Sequence, residues 1–411
     1  MVKFTIIIPT RERADTLYWT IQTCIAQEYE NLTILISDNC STDNTREIIE
    51  GFKDSRIQYI RPNERLSMSM HWDFALSHVH EGYVCIIGDD DGIAPNALHH
   101  VNKIILETGS DSVSSQDKAI YFWPGYLDEN KKGLLQLCLN NTYRIASTPI
   151  SMRKSMKALR PVLLPPLYHG FVNIETMNRL PKSEGKLFIG SIPDIYSSVL
   201  LGIRLKKHVL SNYPFTIHGL SHHSIGSSFS MKHINPDAAE KFIQENKTMS
   251  HPKIIICSAT TPIFVDCLLH AHDQIPSFPE PDMKRVIFHS LKEASKKTNI
   301  EAYLEIVNAT KETARINQIE KEFEQIVQKF PFKTESEPVK LSPLGYMNNQ
   351  ETLYLQTLDM KAENVFDVFK IMKHILNKEP INILKSTPSE GIAGFMRRKL
   401  RSYLRRLSGK N

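Results

Sequence analysis

The strongest constraint on the fold is the apolar run Tyr83-Val84-Cys85-Ile86-Ile87, closed after Gly88 by Asp89-Asp90-Asp91. A short run of this composition reads as a core strand. Three adjacent carboxylates repel one another, and in a pocket they need cations to be tolerable. The carboxyl end of a core strand is where open α/β sheets bind their ligands. Hard oxygen donors there suit Mg²⁺ or Mn²⁺ shared with a substrate phosphate. The plainer reading of the triplet is an acidic turn.

The residues around it alternate strand and helix patterns. Phe4–Ile8 is a β-branched run stopped by Pro9, and Leu17, Ile21, Cys24 and Ile25 recur at helical spacing behind Asp15 as a cap. Leu32–Ile36 is a second strand. Asn44–Phe52 is a helix with Asp43 placed to cap it, and Ile57–Ile60 is a short strand. Ser67–Val79 carries a helical apolar face, and Pro95 opens a helix holding Leu98, Val101, Ile104 and Ile105. This rhythm predicts an α/β fold with a doubly wound, mostly parallel sheet.

Beyond residue 110 the rhythm loosens. Asp111–Ser115 and Lys118–Trp123 read as strands, and 124–170 as an acceptor pocket, a lid or loop packing. From 232 to 330 the pattern is helical, as in Ile300–Phe330. The expected division is a domain over 1–230, with a nucleotide-binding half (1–110) and an acceptor half (111–230). A helical region (231–330), a linker with a helical extension (331–390) and a basic helix (391–411) follow.

Composition excludes some classes. The six cysteines include no C-x-x-C pair, against a structural zinc site or disulfide frame and in keeping with a reducing, cytoplasmic setting. No signal peptide is expected. The best apolar segment, 254–265, is too short to span a bilayer and contains Pro262. Of the net charge of +5, residues 391–411 supply seven Lys and Arg and no acid, which leaves 1–390 at −2. The dinucleotide G-x-G-x-x-G, the P-loop and the G-x-S-x-G elbow are all absent.

Two polar loops follow the first two strands instead: Pro9-Thr10-Arg11-Glu12-Arg13 and Asp38-Asn39-Cys40-Ser41-Thr42-Asp43. With Asp89–Asp91 they share one sheet rim and describe a nucleotide crevice. Asp38 is suited to accept the imide N–H of a pyrimidine. The competing role for Asp38, Ser41 and Asp43 is to cap the next helix.

Phe4–Thr10, Ser37–Asp43 and Ile87–Asp91 together resemble the family 2 glycosyltransferases of the GT-A fold over roughly residues 1–230. Two departures are Cys40, where Gly is usual, and Arg11-Glu12, where Tyr-Asn is common. The resemblance implies a nucleotide-sugar donor, UDP-linked by preference, a hydroxyl acceptor and inversion at the sugar. It places Pro9, Thr10, Arg11, Arg13, Asp38, Asn39, Ser41, Asp89 and Asp90 at the donor, with Asp91, helped by Asp89, on a Mn²⁺ or Mg²⁺ ion. His222 or His223, in a Ser/His/Gly-rich loop, is a further metal candidate, against an ordinary surface role. The expected base is Asp194, behind Pro193 at a helix start, where the dipole keeps a carboxylate ionised. Glu175 and Glu184 are weaker competitors. Trp123, Tyr168 and His169, with Tyr121, are candidates to line the acceptor site, and packing explains them equally well.

The tail is a separate signal. Ile392, Phe395, Met396, Leu400, Tyr403, Leu404 and Leu407 form one helical stripe among basic residues, suited to the anionic inner face of a membrane. The expected partners are therefore a nucleotide sugar, a glycan or lipid-linked acceptor and a membrane surface, with no nucleic acid. The rival functions are a nucleotidyltransferase on a similar sheet and a non-catalytic sugar-nucleotide-binding scaffold.

Overall fold

The computed structural model describes residues 1–116, 119–190, 192–224, 250–333 and 352–376. The nucleus is four parallel strands: β1 (Phe4–Thr10), β2 (Leu32–Asp38), β3 (Ile57–Ile60) and β4 (Tyr83–Ile86). A two-residue strand β5 (Gly92–Ile93) follows the acidic triplet. Next come β6 (Ser112–Ser115), β7 (Ala119–Phe122), β8 (Leu134–Cys138) and β9 (Tyr143–Ser147). The rest are β10 (Gly170–Asn173), β11 (Lys207–Ser211), β12 (Thr216–Leu220) and β13 (Thr352–Gln356). The large sheet runs β3-β2-β1-β4-β10-β6-β11-β9, and a second runs β13-β8-β7-β12-β5.

The large sheet is mostly parallel, as expected, with two reversed strands: β10 enters between β4 and β6 antiparallel to both, and β9 closes the edge antiparallel to β11. Gly170 makes that entry possible: a Cβ there would stand 2.2 Å from the Pro166 carbonyl oxygen. Pro9 does not stop β1. Ile7 offers its carbonyl to Ile87 on the β4 side, so a residue 9 N–H would point the same way, where β4 pairing has already ended. The missing donor is therefore not missed.

The strand period sorts side chains into two cores. Ile6, Ile8, Ile34, Ile36 and Cys85 face one layer, and Ile7, Leu35, Val84 and Ile86 the other. The first is covered by α1 (Ala14–Ile25) through Leu17 and Ile21. Between β2 and β3 lies α2 (Thr45–Gly51), and α3 (Met68–Leu76) covers the second layer through Trp72 and Ala75. Leu98 and Val101 of α4 (Ala97–Thr108) join the first. Downstream are α5 (Thr148–Ala158), α6 (Ile174–Asn178) and α7 (Pro193–Arg204).

Helix starts differ in detail from expectation. Asp15 does not cap α1; the Ala14 N–H donates to Asp43 Oδ2 at 3.1 Å, and Asp43 Oδ1 accepts the Thr45 N–H at 3.1 Å. One carboxylate thus serves the starts of two helices. Pro95 precedes α4 without entering it, and Asn96 forms the N-cap at φ 58°.

The segment 124–170 is neither lid nor loop: it holds β8, β9 and α5. Residues 250–333 contain helices Thr260–Gln274, Met283–Ala294, Ile300–Ile316 and Glu320–Val327. The expected stretch Ile300–Phe330 is broken at Asn317–Ile319, where Gln318 takes φ 57°. Within 331–390, β13 pairs with β8, and helix Val365–Leu376 buries Val365, Val368, Phe369 and Met372 in the first core. These residues return to the N-terminal domain, whereas the sequence reading makes them an extension. The basic helix 391–411 lies outside the described residues. No helix among them is long and apolar enough to cross a membrane, and none of the six cysteines forms a disulfide.

Candidate active site

The register pairs Thr10 with Asp38 at the carboxyl ends of β1 and β2, and β4 delivers Asp89–Asp91 to the same rim. The chain then fans the three carboxylates apart. Asp89 accepts from Thr10 Oγ1 at 2.8 Å and pairs with Arg13 Nη1 at 2.9 Å. Asp90 accepts from the hydroxyls of Ser221 at 2.6 Å and Ser224 at 2.7 Å. Asp91 turns inward. Each carboxylate is nearly solvent-free and has its own partners, which reduces the mutual repulsion that adjacency imposes.

Charge on this rim is balanced locally. Burial works against the Arg13 guanidinium, but Asp89 and Asp90 outweigh it and raise its pKa. Burial pushes the Asp89 carboxyl up, with Arg13 pulling against it. Arg13 Nη2 also donates to the His223 carbonyl at 2.6 Å, tying the 221–224 turn to α1.

Asp91 is the centre of the site. Its Oδ2 accepts from the Gly88 N–H at 2.6 Å and the Tyr168 hydroxyl at 2.7 Å, and Oδ1 accepts the Gly219 N–H at 2.8 Å. His169 Nε2 lies 3.3 Å from Oδ2, and His218 Nδ1 lies 3.6 Å from Oδ1. The two imidazoles meet at 2.8 Å, and His169 Nδ1 is fixed by Thr216 Oγ1 at 3.0 Å. Burial first, then the charge of Asp90, pushes the Asp91 carboxyl up to about 7. His169 is held at φ 64°, a left-handed backbone that a non-glycine residue adopts at a cost.

This cluster fits a divalent cation. One ligand atom from each of Asp91, His169 and His218 lies within 4.8 Å of the others. One carboxylate and two imidazoles form an O/N donor set, which favours Mn²⁺ over Mg²⁺. Gly219 makes the geometry possible, because a Cβ there would stand 1.7 Å from the Asp90 carbonyl oxygen.

The Asp38 end of the crevice is fully engaged. Asp38 Oδ1 accepts the Ser41 N–H at 2.9 Å, and Oδ2 accepts from Tyr59 at 2.8 Å and Arg61 at 3.0 Å. Asn39 clasps the Leu66 backbone with both amide atoms, and Ser41 Oγ accepts the Glu12 N–H. Cys40 sits at φ 58°, which explains the structural cost of a side chain where the resembling family has Gly. Glu12 accepts from the Thr42 and Asp43 N–H groups and pairs with Arg65. Arg11 is half-buried, and its charge helps burial hold His71 down at about 4.

Asp194 lies in the first turn of α7, half-buried behind Pro193. Its charge acts on Tyr168, the residue that donates to Asp91. Base candidate and acidic cluster therefore border the same tyrosine. Glu175 instead pairs with Arg179 at 3.0 Å on an exposed helix face.

The structure redistributes the remaining candidates. His222 and His223 gather with Asp15, and Asp91 gathers with His169 and His218. Tyr168 donates its hydroxyl to Asp91, and His169 is a buried member of the cluster. Trp123 lies beneath the triplet, 7% exposed, with its indole N–H donating to the Asp90 carbonyl at 3.0 Å, so it supports the loop and presents no open ring face. Tyr121 is wholly buried and donates to the Ala362 carbonyl. His218, Ser221 and Ser224 carry contacts that the sequence reading does not assign. The available signal is their density in one short stretch behind a strand.

Residues 5–146 match the family model described as glycosyl transferase family 2. Over 86 residues the chain is 36% identical to the Escherichia coli UDP-Glc:alpha-D-GlcNAc-diphosphoundecaprenol beta-1,3-glucosyltransferase WfaP, covering 21% of this chain and 34% of that protein. It is 28% identical over 101 residues to the Campylobacter jejuni GalNAc(5)-diNAcBac-PP-undecaprenol beta-1,3-glucosyltransferase, covering 24% of this chain and 33% of that one. The matched region thus spans about a third of these relatives' own length. Among solved structures, Staphylococcus aureus TarS 1–349 in complex with UDP-GlcNAc aligns at TM-score 0.44 and 14% identity, over 80% of this chain and 93% of that one.

Proposed function

From the match of residues 5–146 to the family 2 glycosyl transferase model, we propose that this protein moves a sugar from a UDP-linked donor to a hydroxyl of a lipid-linked glycan, with inversion and with a divalent cation. The observation that carries this reading is the fanned triplet Asp89–Asp91, buried on the same rim as Asp38, with Asp194 bordering Tyr168. The acceptor class is supported by the two relatives named for undecaprenol-linked substrates.

Cleavage at sugar C1 leaves a diphosphate whose charge must be stabilised as it forms. Asp91, His169 and His218 would hold the ion, which supplies Lewis-acid stabilisation of that leaving group when bound. Arg13, locked to Asp89, adds a fixed cation beside the same rim. Asp38 would take the base by exchanging Arg61, whose side chain is 37% exposed and bonded to Asp38 and the Ser41 carbonyl. On the acceptor side, Asp194 accepts the hydroxyl proton as that oxygen attacks C1. A single base suffices for inversion, so no covalent sugar–enzyme bond forms. The basic helix 391–411 would hold the protein peripherally on the inner face of a membrane.

The test is turnover of UDP-sugars on lipid-linked acceptors by Asp194→Asn. Donor binding should be retained while kcat falls by about 10²–10⁴, the range of a lost general base. Wild-type turnover in that variant would remove Asp194 from the chemistry. Release of inorganic diphosphate from a nucleoside triphosphate would install the nucleotidyltransferase instead.

A further inference from the structure

We propose that the outer face of α5, together with the sheet edge beside it, is a docking surface for an anionic lipid bilayer. Along α5 the exposed positions Ile150, Arg153, Lys154 and Lys157 follow helical spacing, while Ser151, Met152, Ser155 and Leu159 turn inward. Exposed apolar side chains lie on the helix, beyond it and on the sheet edge. Ile150 is 47% exposed, Ile145 on the edge strand β9 is 55% exposed, and Leu163 beyond the helix is 38% exposed. Lys206 and Lys207 join them, since the Thr148 N–H donates to the Lys206 carbonyl at 3.1 Å and Lys207 pairs in register with Ser147.

The charge on this face is not neutralised. Residues 133–174 contain five Lys and Arg and no Asp or Glu. Among the described residues, Arg153, Lys154, Lys157, Arg160, Lys206 and Lys207 enter no ion pair. In the 250–333 region, by contrast, Lys253, Lys284 and Arg315 pair with Glu280, Glu322 and Glu312. One acid borders the sheet edge, Glu107, which accepts from Tyr143 at 2.7 Å, and Glu280 and Asp282 lie beyond Lys157.

A patch of unpaired cations studded with isoleucine and leucine needs a partner that offers both negative charge and apolar depth. A bilayer with anionic headgroups offers both. Nucleic acid offers phosphates, with nothing for Ile145, Ile150 and Leu163 to enter. The position suits the reading above, on which only the purpose of the surface rests: Met152 of α5 abuts Gly202 of α7, the helix that carries Asp194. The acceptor side would then face the membrane that holds the acceptor.

The experiment is co-sedimentation of the full chain with vesicles of phosphatidylcholine alone or mixed with phosphatidylglycerol. Two variants accompany it: R153E/K154E/K157E and I145S/I150S. Neutralising the 391–411 cations in a parallel set separates the tail from this face. Wild type should bind only the anionic vesicles, more weakly as salt rises. The charge-reversed variant should lose at least about tenfold in partitioning with the tail intact or neutralised. The isoleucine variant should lose the salt-resistant part. Undiminished binding by the charge-reversed variant overturns the proposal. So does retention of a nucleic-acid duplex that depends on the same residues when vesicles are ignored. UDP-sugar calorimetry without vesicles reports separately on the glycosyltransferase reading, and R153Q/K154Q/K157Q repeats the test with a milder change.

Discussion

Two carboxylate–histidine clusters lie on neighbouring turns of this chain, and their chemistry runs in opposite directions. In one, Asp15, His222 and His223 meet at the surface, with Asp15 57% exposed and 3.2 Å from His223. The hydrogen bond from His223 holds the Asp15 carboxyl below the usual range. In the other, Asp91, His169 and His218 meet with Asp91 wholly buried, and the carboxyl rises to about 7. The residue types are the same. Water solvates the first cluster, so its charges need nothing more. The second has lost that water, so its carboxylate is costly unless it takes up a proton or a cation. Composition alone does not distinguish the two clusters; burial does.

The largest effect is expected from Asp91→Ala, which should lower turnover by about 10²–10³ and abolish the metal dependence of donor binding in calorimetry. Metal-dependent binding that survives this change would equate the two clusters. Next is Gly219→Ala, whose methyl would collide with the Asp90 backbone. It should cost about 3 kcal/mol in urea unfolding. A cost near zero would show that the acidic loop can retreat.

The pH response sharpens the same contrast. A carboxyl raised from 3.8 to about 7 binds more protons in the fold than in the open chain, so without metal its contribution to stability worsens as pH climbs through that window. Protons and metal compete for Asp91, so Mn²⁺ affinity should weaken by roughly tenfold from about pH 8 to about pH 6. Added Mn²⁺ should raise Tm more at the higher pH. A flat profile would place the metal on groups ionised throughout. The smallest effect belongs to His223→Ala, which removes an exposed pair and should cost less than about 1 kcal/mol. A larger loss, together with weakened donor binding, would make the surface cluster part of the site.

What could be read from sequence follows the same division. Asp38 and Asp89–Asp91 were legible because each sits within a few residues of the strand that positions it. His218 was not, since its place beside Asp91 depends on β12 pairing with β5, which sets Thr216 against Ile93. Spacing cannot say which of His218, His222 and His223 turns inward; only the register does. For Tyr168 and His169 the sequence leaves acceptor lining and packing equally open, because nothing local reveals that Ile86 and His169 are hydrogen-bonded neighbours. Pro9 misled in the other direction, as a strand tolerates proline where its neighbour has already departed.

The return of residues 352–376 to the first core bears on how the protein is made. Translation delivers β1 to β8 early, but β8 gains its outer partner only when Thr352–Gln356 emerges. The apolar side of α1 waits still longer, for Val365, Val368 and Phe369. Until then the nascent domain holds an unfilled strand edge and an uncovered helix face, both prone to self-association. The region of family likeness, residues 5–146, is thus not a separable folding unit: the ribosome must finish most of the chain before the first domain can close.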